Sequence, residues 1–429
     1  MQQNFKIVRF GGVIALCFLL LVWAQPLRAQ DTLSSAYAGQ RTLELYTQQK
    51  WPALISLGNR CISAGYDYFY MRMRVGIAYY EMKNYSVAER HFRKALSYSS
   101  ADTLALEYLY YCYVYNGNSE QARLLSRKFP AALQRKTGVD KQPAVDFIMA
   151  EAGTKITDST SYYDRSKRAN TNFFNPPTYF QLGLNHYIKN RLSLFYAFTY
   201  FNQSTFLGQL IQKQYYVKAA VPFKHNWLVS PAFHLVGIDF SVTTNPMRPP
   251  MPGLPPPRPI TIESRSTYYV ASLGVQKTAG RFTFSLVNTL SDIFNVNQYL
   301  HAGMVSWYVL GNSKIVLGCT AYLHTNNNYS TLNNSVLPYL YWQPARRFSI
   351  KVHALFNSGT NIIEDNGYLV NNSPDLTQWR AGVLGNLALT RSVSLYALYQ
   401  LESKLENVQK FHYKYNVILA GIKITPFKS

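Results

Sequence analysis

The chain has 429 residues, a formal net charge of +22, and hydrophobic residues at 48% of its positions, including 35 tyrosines and 24 phenylalanines. Beyond the first thirty residues no segment approaches eighteen consecutive apolar residues, which excludes a transmembrane helix there. The strongly basic balance favours anionic partners, such as lipopolysaccharide phosphates or acidic polymers, without identifying one.

The first thirty residues have the organisation of a secretory signal. Lys6 and Arg9 supply a positive n-region, an apolar run covers residues 12–24, and Ala29 offers a small-residue cleavage site. Because the apolar run is short of the roughly twenty residues that a spanning helix needs, we predict a cleaved signal peptide over 1–29 rather than an anchor helix. For an exported chain we expect no nucleic-acid partner.

Three cysteines remain after such cleavage, namely Cys61, Cys112 and Cys319. Their odd number argues against a disulfide framework. Cys61 and Cys112 could still pair in an oxidising compartment, although both occupy small-residue packing positions, and the sequence leaves this open.

From residue 31 to about 138 the hydrophobic period is helical. The stretch GIAYYEMKNYSVAERHFRKAL, residues 76–96, resembles the tetratricopeptide repeat, in which small residues lie where paired helices touch and large ones fill the holes between pairs. The positions that match this motif are Gly76, Ala78, Tyr79, Tyr85, Ala88, Phe92 and Ala95. Weaker copies stand thirty-four residues before and after, so the resemblance predicts two to three repeats over 31–138.

The resemblance implies a shallow groove that holds a periplasmic protein partner. The alternative is a short capped helical spacer, in which tyrosines such as Tyr108, Tyr111 and Tyr115 serve only as packing.

Past Val145 the period changes to two. The stretch TYFQLGLNHYIKNRLSLFYAFTYF, residues 178–201, alternates apolar and polar side chains on both sides of a short KNR turn, which predicts a hairpin of two long strands. About fourteen such runs follow one another to the end of the chain. Aromatic residues gather toward the strand ends; they are Trp227, Trp307, Tyr341, Trp342 and Trp379.

The connections alternate between tight turns (KNR, KHN, TAG, GNS, PAR and TRS) and links of up to about twenty residues. This asymmetry with an even strand number is typical of a bacterial outer-membrane barrel. We therefore predict an α plus all-β chain, in which the helical repeats precede an antiparallel transmembrane β-barrel over 145–429. A secreted β-sandwich with one wet face is the alternative.

Two segments of the predicted barrel stand out. The last run, residues 410–427, changes its apolar phase after Val417, which predicts a β-bulge in the closing strand. The proline-rich stretch 243–261 is predicted to be an external loop, either a solvated cap or a ligand contact or plug.

No catalytic motif or metal-ligand spacing is present in the sequence, so we expect a non-enzymatic protein without cofactor or metal, although a site assembled from distant strands remains open. Alternation points five basic or imidazole side chains into the lumen: Lys218, His234, Lys351, His353 and Arg380. A basic lining would favour anions. The alternative is that these side chains pair with acids from the loops or merely solvate the wall.

The whole order, repeats and then barrel, resembles two architectures: the exopolysaccharide export porins and the YaiO-like outer-membrane barrels. The resemblance implies an outer-membrane protein, embedded among lipid and lipopolysaccharide, whose repeats lie in the periplasm. It also implies that the protein passes or docks an anionic polymer such as a polysaccharide. The rival interpretation is a scaffold whose barrel only anchors the repeats.

Overall fold

The computed structural model describes residues 34–157, 176–204, 208–244, 260–293, 296–326, 331–357, 363–370, 376–405 and 412–426. The predicted signal peptide, most of the proline-rich loop (245–259) and the chain from Phe427 onward lie outside these ranges. The chain divides between Asp67 and Tyr68 into two compact units, and each is described by itself.

The first unit consists of two helices, α1 (Ser35–Thr47) and α2 (Trp51–Ser63). The Ser34 hydroxyl caps α1 by accepting a hydrogen bond of 3.1 Å from the backbone N–H of Tyr37. The rings of Tyr46 and Trp51 meet edge to face across the turn between the helices, 6.0 Å apart.

The second unit begins with five more helices, which are α3 (Phe69–Glu81), α4 (Tyr85–Tyr98), α5 (Thr103–Tyr115), α6 (Ser119–Ser126) and α7 (Ala131–Thr137). We refer to these five helices as the helical body. Within the described residues no helix is both long and apolar enough to cross a bilayer.

The residues that resemble the repeat motif belong to α3 and α4, which pack against each other. Ala78, Ala88, Phe92 and Ala95 are completely buried. Gly76 permits the closest approach, because a Cβ there would stand 2.9 Å from the Phe92 ring. Two motif tyrosines make ring contacts: Tyr79 stacks on His91 and Tyr85 meets Tyr80 edge to face. Cys61 and Cys112 are buried free thiols.

The rest of the second unit is a closed barrel. Its strands are β1 (Val145–Thr157), β2 (Thr178–Ile188), β3 (Leu192–Ser204), β4 (Gln209–Phe223), β5 (Trp227–Thr244), β6 (Ile260–Ala279), β7 (Phe282–Ile293), β8 (Val296–Tyr308), β9 (Ile315–Asn326), β10 (Thr331–Ala345), β11 (Phe348–Phe356), β14 (Leu376–Ala388), β15 (Val393–Leu405) and β16 (His412–Ile424). Each pairs antiparallel with its neighbours, and β1 pairs with β16 to close the ring. The predicted fold class and strand number are confirmed.

The two faces of the wall differ as the alternation requires. In β5, Phe233 and Leu235 point outward and are 45% and 37% exposed, whereas His234 and Val236 point inward and are 2% and 1% exposed. An apolar outer surface on a sheet without edges is what a bilayer demands, because every backbone N–H and C=O is then bonded within the wall. The barrel is therefore of the transmembrane type.

Two details of the predicted wall are wrong. The β16 register runs without a shift against both β1 and β15, so there is no bulge. Tyr413 and Val417 instead face inward and Ile418 and Ile424 outward, because the outer face of β16 is polar near the loops and meets lipid only near its other end. Tyr341, expected among the interfacial aromatics, belongs to the inner face of β10 by its register.

The helical body is attached to the end of the barrel that carries the tight turns, which we call the turn end. Arg123 donates to the Asn190 side chain (3.1 Å) in the turn between β2 and β3. In the turn between β8 and β9, the Gly311 carbonyl accepts from the backbone N–H of Ser86 (2.9 Å), and Ser313 donates to the Tyr115 carbonyl (3.0 Å). These two turns are six strands apart around the ring. The helical body therefore reaches across nearly half of the rim.

A buried carboxylate lies at the centre of this attachment. Glu89 of α4 is 3% exposed and accepts a hydrogen bond of 2.5 Å from the side-chain amide of Asn226, in the turn between β4 and β5. The Tyr113 hydroxyl donates to the same amide's oxygen (3.0 Å), and Arg93 stands 3.6 Å from the carboxylate. Burial raises the pKa of Glu89 above its usual range, against the opposing hydrogen bond and charge.

We predict that the Glu89 carboxylate makes the helical body less stable at higher pH. A carboxyl with a raised folded-state pKa stabilises the fold below its unfolded pKa, and this contribution is lost as the pH rises through the folded pKa. Glu89→Gln keeps an acceptor for Asn226 and removes the charge. Circular dichroism at 222 nm on the detergent-solubilised chain should show the variant melting higher than wild type at pH 8, with a smaller difference at pH 5. Glu81→Gln, at an exposed position of α3, is the control; identical pH profiles for all three proteins would contradict this account.

A second prediction concerns the contact between α3 and α4. Replacing the completely buried Ala88 with Leu should overpack this contact and destabilise the helical body by about 1–3 kcal/mol. The same measurement of helical melting tests it. Lys94→Leu, an exposed substitution in the same helix, should leave the melting temperature nearly unchanged.

Candidate functional site in the barrel lumen

A short hairpin lies inside the barrel. It belongs to the connection between β11 and β14 and consists of β12 (Ile363–Glu364) and β13 (Leu369–Val370), joined by residues 365–368. Asp365, Asn366 and Gly367 have positive φ values of 48°, 60° and 84°. Aspartate, asparagine and glycine are the residue types that adopt this left-handed conformation most readily, so the sequence suits a tight tip.

Polar contacts attach the hairpin to opposite walls. Glu364 forms an ion pair with Arg380 of β14, and both side chains are buried. On the other side, Nδ1 of His234 in β5 lies 2.8 Å from the Gly367 carbonyl oxygen. β5 and β14 stand seven strands apart in either direction around the ring of fourteen. The hairpin therefore spans the diameter of the lumen.

The hairpin tip is also fixed to the neighbouring strands. The Tyr216 hydroxyl of β4 donates to the Asn366 carbonyl (3.1 Å), and the Asn366 amide donates to the Ser230 carbonyl of β5 (2.9 Å). The Tyr368 hydroxyl donates to the Gln181 side chain of β2. Four polar contacts with β2, β4 and β5 thus hold three successive residues of the tip.

Apolar packing holds the hairpin on the side of β5 to β11. Ile363 is 1% exposed and belongs to a cluster of inward side chains. Val370 packs against this cluster. The other members come from β5 to β11: Val236, Ile238, Tyr268, Val270, Ile293, Leu300, Ala302, Tyr322, Leu337 and Leu355. A ring of fourteen tilted strands leaves about 28 Å between opposite backbones. The hairpin and the inward side chains of β5 to β11 together occupy this half of the lumen at the level of Ile363.

Several buried charges beside the hairpin have a polar partner. Besides the pair of Arg380 and Glu364, Lys155 lies 3.7 Å from Glu402, and the Tyr179 hydroxyl donates to Glu151 (2.9 Å). Such pairing is required, because an isolated charge is costly in a closed interior. These buried charged groups therefore have partners on the wall or the hairpin, whereas Asp365 at the hairpin tip is exposed.

Toward the turn end the balance changes. Lys218 of β4 and Lys351 of β11 are half-buried on the inner face, and Lys351 stands 5.0 Å above the Tyr339 ring. Among the described residues no carboxylate forms an ion pair with either lysine. The nearest acid along this end of the wall, Asp146, lies 3.8 Å from Arg123 of the helical body.

The five lumen residues predicted from the sequence therefore have different surroundings. Arg380 pairs with a loop carboxylate, which corresponds to the pairing alternative, and His234 contacts the hairpin backbone. His353 contacts Gln400 on the wall, with 3.0 Å between Nε2 and Oε1. Lys218 and Lys351 remain as basic groups of the inner face without a described acidic partner. The structure thus divides a set that alternation alone treats as equivalent.

Sequence reasoning missed the hairpin and its contacts, Gln181, Tyr216, Glu364, Asn366 and Tyr368. A signal was present. The stretch IIEDNGYLV, residues 362–370, places Asn-Gly between two short apolar runs, the strongest local indication of a hairpin. The described residues contain no group of three or more His, Cys, Asp or Glu side chains that could hold a metal ion.

Fold and lumen together define the class of protein: a transmembrane β-barrel of the outer-membrane type, with helices before the barrel and a hairpin across its lumen. No family model and no curated protein matches the chain.

Three solved outer-membrane barrels that the chain resembles are far from it in sequence. A Pseudomonas aeruginosa FadL homologue is 8% identical, with 66% of this chain and 92% of that chain covered and a TM-score of 0.40. The CymD monoaromatic hydrocarbon channel is 8% identical (66% and 89% covered, TM-score 0.43). The Ralstonia pickettii toluene transporter TbuX is 9% identical (67% and 93% covered, TM-score 0.41). The likeness is one of barrel architecture alone.

We predict that the ion pair holds the hairpin in the lumen. Arg380→Met would leave Glu364 buried without its partner, a change that typically costs about 3–5 kcal/mol and here should release the hairpin. A cysteine replacing Ile363, in a chain without its native cysteines, should then react with a maleimide at least about a hundredfold faster than in the Arg380 background.

The matched controls are a second cysteine position and a double variant. Leu369→Cys, which is exposed, should be labelled equally in both backgrounds. Adding Glu364→Gln to Arg380→Met removes the unpaired charge and should restore slow labelling of the cysteine at 363. Unchanged labelling in Arg380→Met would show that the other contacts hold the hairpin without the ion pair.

Proposed function

We propose that this chain is an outer-membrane protein whose barrel passes an anionic envelope polymer, such as a polysaccharide, and whose lumen hairpin holds the passage closed in the state described. In this proposal the turn end faces the periplasm, and the helical body presents a tetratricopeptide-like surface to a periplasmic partner.

The observation that carries the proposal is the unpaired basic inner face at the turn end. Lys218 and Lys351 face the lumen, while the described acids of that end are limited to Asp146, which is already engaged by Arg123. Fixed positive charge along an aqueous path raises the local concentration of anions. The passage would therefore select anions on the periplasmic side, before they reach the hairpin.

A hairpin inside the lumen can leave without a change in the barrel wall, whereas side chains of the wall itself cannot. The hairpin therefore supports a passage that can open. The hairpin is held by one ion pair, a few hydrogen bonds and the apolar packing of Ile363 and Val370, and these can be exchanged for other contacts without opening the sheet. Release of residues 363–370 would expose Arg380 and the Lys155–Glu402 pair to the path.

The second candidate is a non-conducting scaffold that anchors the helical body to the membrane. The same hairpin favours it, because its contacts reach opposite walls and its packing includes an apolar cluster of side chains from β5 to β11. Helices α4, α5 and α6 are attached to the turn end of the barrel, and this attachment suits either function.

Planar-bilayer conductance separates the two candidates. Replacing residues 363–370 with an eight-residue Gly-Ser linker keeps the loop length and removes every hairpin contact. If the barrel is a closed passage, the wild type should conduct weakly and the linker variant strongly. If neither protein conducts although heat-modifiable gel mobility shows folded barrels, transport is wrong and the scaffold is the better account.

In the conducting linker variant, charge reversal should identify the selecting groups. Lys218→Glu with Lys351→Glu should move the reversal potential under a salt gradient toward cations. The effect should be largest near 0.01 M salt, where the Debye length is roughly 30 Å. Arg380→Gln, whose partner Glu364 is absent from that variant, is the matched control near the hairpin level. Unchanged selectivity after reversal of both lysines would place the selecting charges elsewhere.

A further inference from the structure

Charge is segregated along the barrel axis. Within five strand residues of the tight turns, Asp146 is the single acidic residue of the described wall, whereas basic residues occur in every one of these turns. The acids of the barrel wall otherwise lie toward the opposite end, which carries the long loops. Basic residues are therefore concentrated at the turn end and acidic residues toward the loop end, on the outer surface as well as in the lumen.

Four of the basic residues form an exposed group that we call the basic crescent: Lys314, Arg346, Arg347 and Arg391. They lie in three successive turns of the ring, between β8 and β9, β10 and β11, and β14 and β15. No described carboxylate forms an ion pair with any of them. Among the residues that the structure describes, hydrogen bonds from the helical body reach the first of these turns, through Gly311, Asn312 and Ser313, and not the other two.

The basic crescent lies at the boundary of the lipid-facing band. Trp342 and Phe348 flank Arg346 and Arg347 and point outward, with 46% and 37% of their surfaces exposed. Trp307, also outward, lies on β8 just before the turn that contains Lys314. Tryptophan on the outer face of a transmembrane barrel marks the level of the lipid headgroups. The crescent's cations therefore stand where headgroup phosphates lie.

The opposite end of the outer surface behaves differently. There Lys213 and Arg265 both engage Asp239, at 3.7 and 2.6 Å. These two outward cations near the loops thus share a protein carboxylate, and those of the crescent have none among the described residues.

We propose that the basic crescent binds the phosphates of anionic phospholipids in the membrane leaflet at the turn end. Arginine suits this ligand, because its planar guanidinium bonds two phosphate oxygens at once. Neighbouring tight turns are two strands, about 10 Å, apart, so each can hold a headgroup of its own. A soluble acidic polymer is disfavoured, because the residues that flank the arginines are lipid-facing aromatics rather than groups of the lumen.

Quenching of Trp342 by brominated lipids tests the proposal. A chain with its other tryptophans replaced by Phe is reconstituted in phosphatidylcholine that contains either brominated phosphatidylcholine or brominated phosphatidylglycerol. Phosphatidylglycerol should be preferred at Trp342 by roughly five- to tenfold, and less in high salt. Lys314→Ser, Arg346→Ser, Arg347→Ser and Arg391→Ser together should abolish the preference.

The matched control carries the substitutions Lys213→Ser, Arg265→Ser and Lys414→Ser, all at the loop end, and should keep the preference. Heat-modifiable gel mobility verifies that every variant is a folded barrel. Equal quenching by the two lipids, or the same preference in the crescent variant, would overturn the proposal. So would displacement of phosphatidylglycerol from Trp342 by a soluble acidic polysaccharide, which would assign the crescent to a polymer. None of these outcomes depends on whether the barrel conducts.

Discussion

The hydrogen-bonding requirement of the backbone in a bilayer determines the rest of this structure. A sheet that meets lipid on one face must pair every strand edge, so β1 has to find β16, and the closed ring has an interior whatever its function. That interior is too wide for the wall's side chains to fill unaided. The chain fills it with a hairpin from one of its own loops, and the polar groups of the hairpin then need partners on the wall.

The hairpin divides the lumen into two electrostatic zones. Around it, charged groups occur in pairs, as with Arg380 and Glu364, because the contacts are buried. Nearer the turns, Lys218 and Lys351 are half-buried without a described acidic partner. Residues that share one face and one charge thus differ in chemistry because of a loop far away in sequence.

Alternation predicted what depends on one strand at a time. It placed the hairpin of residues 178–201 and the number of strands correctly, because burial on one face repeats every second residue. Alternation gave wrong or incomplete predictions where the surroundings of a residue depend on another segment of the chain or on the lipid. The phase change in β16 has its cause in the height of the lipid band, and the partner of Arg380 comes from a loop that no local pattern places in the lumen. The attachment of the helical body was equally invisible, since Glu89 gives no sign in the sequence that it meets Asn226.

The tight turns of the rim lie in two environments: some contact the helical body, and others are exposed beside lipid-facing aromatics. Where helices touch the rim, the contacting atoms belong to neutral turn formers, Asn190, Asn226 and Gly311, which satisfy helix groups and can be buried at little cost. Asn190 and Asn226 adopt positive φ values of 52° and 61°, so the same residues make the turn and the contact. Every tight turn also carries a basic residue, but in the turns that contact the helices these contacting atoms are not the charged ones. Where the rim is exposed beside lipid-facing aromatics, Arg346, Arg347 and Arg391 stay hydrated, because burying a guanidinium without a carboxylate would be costly.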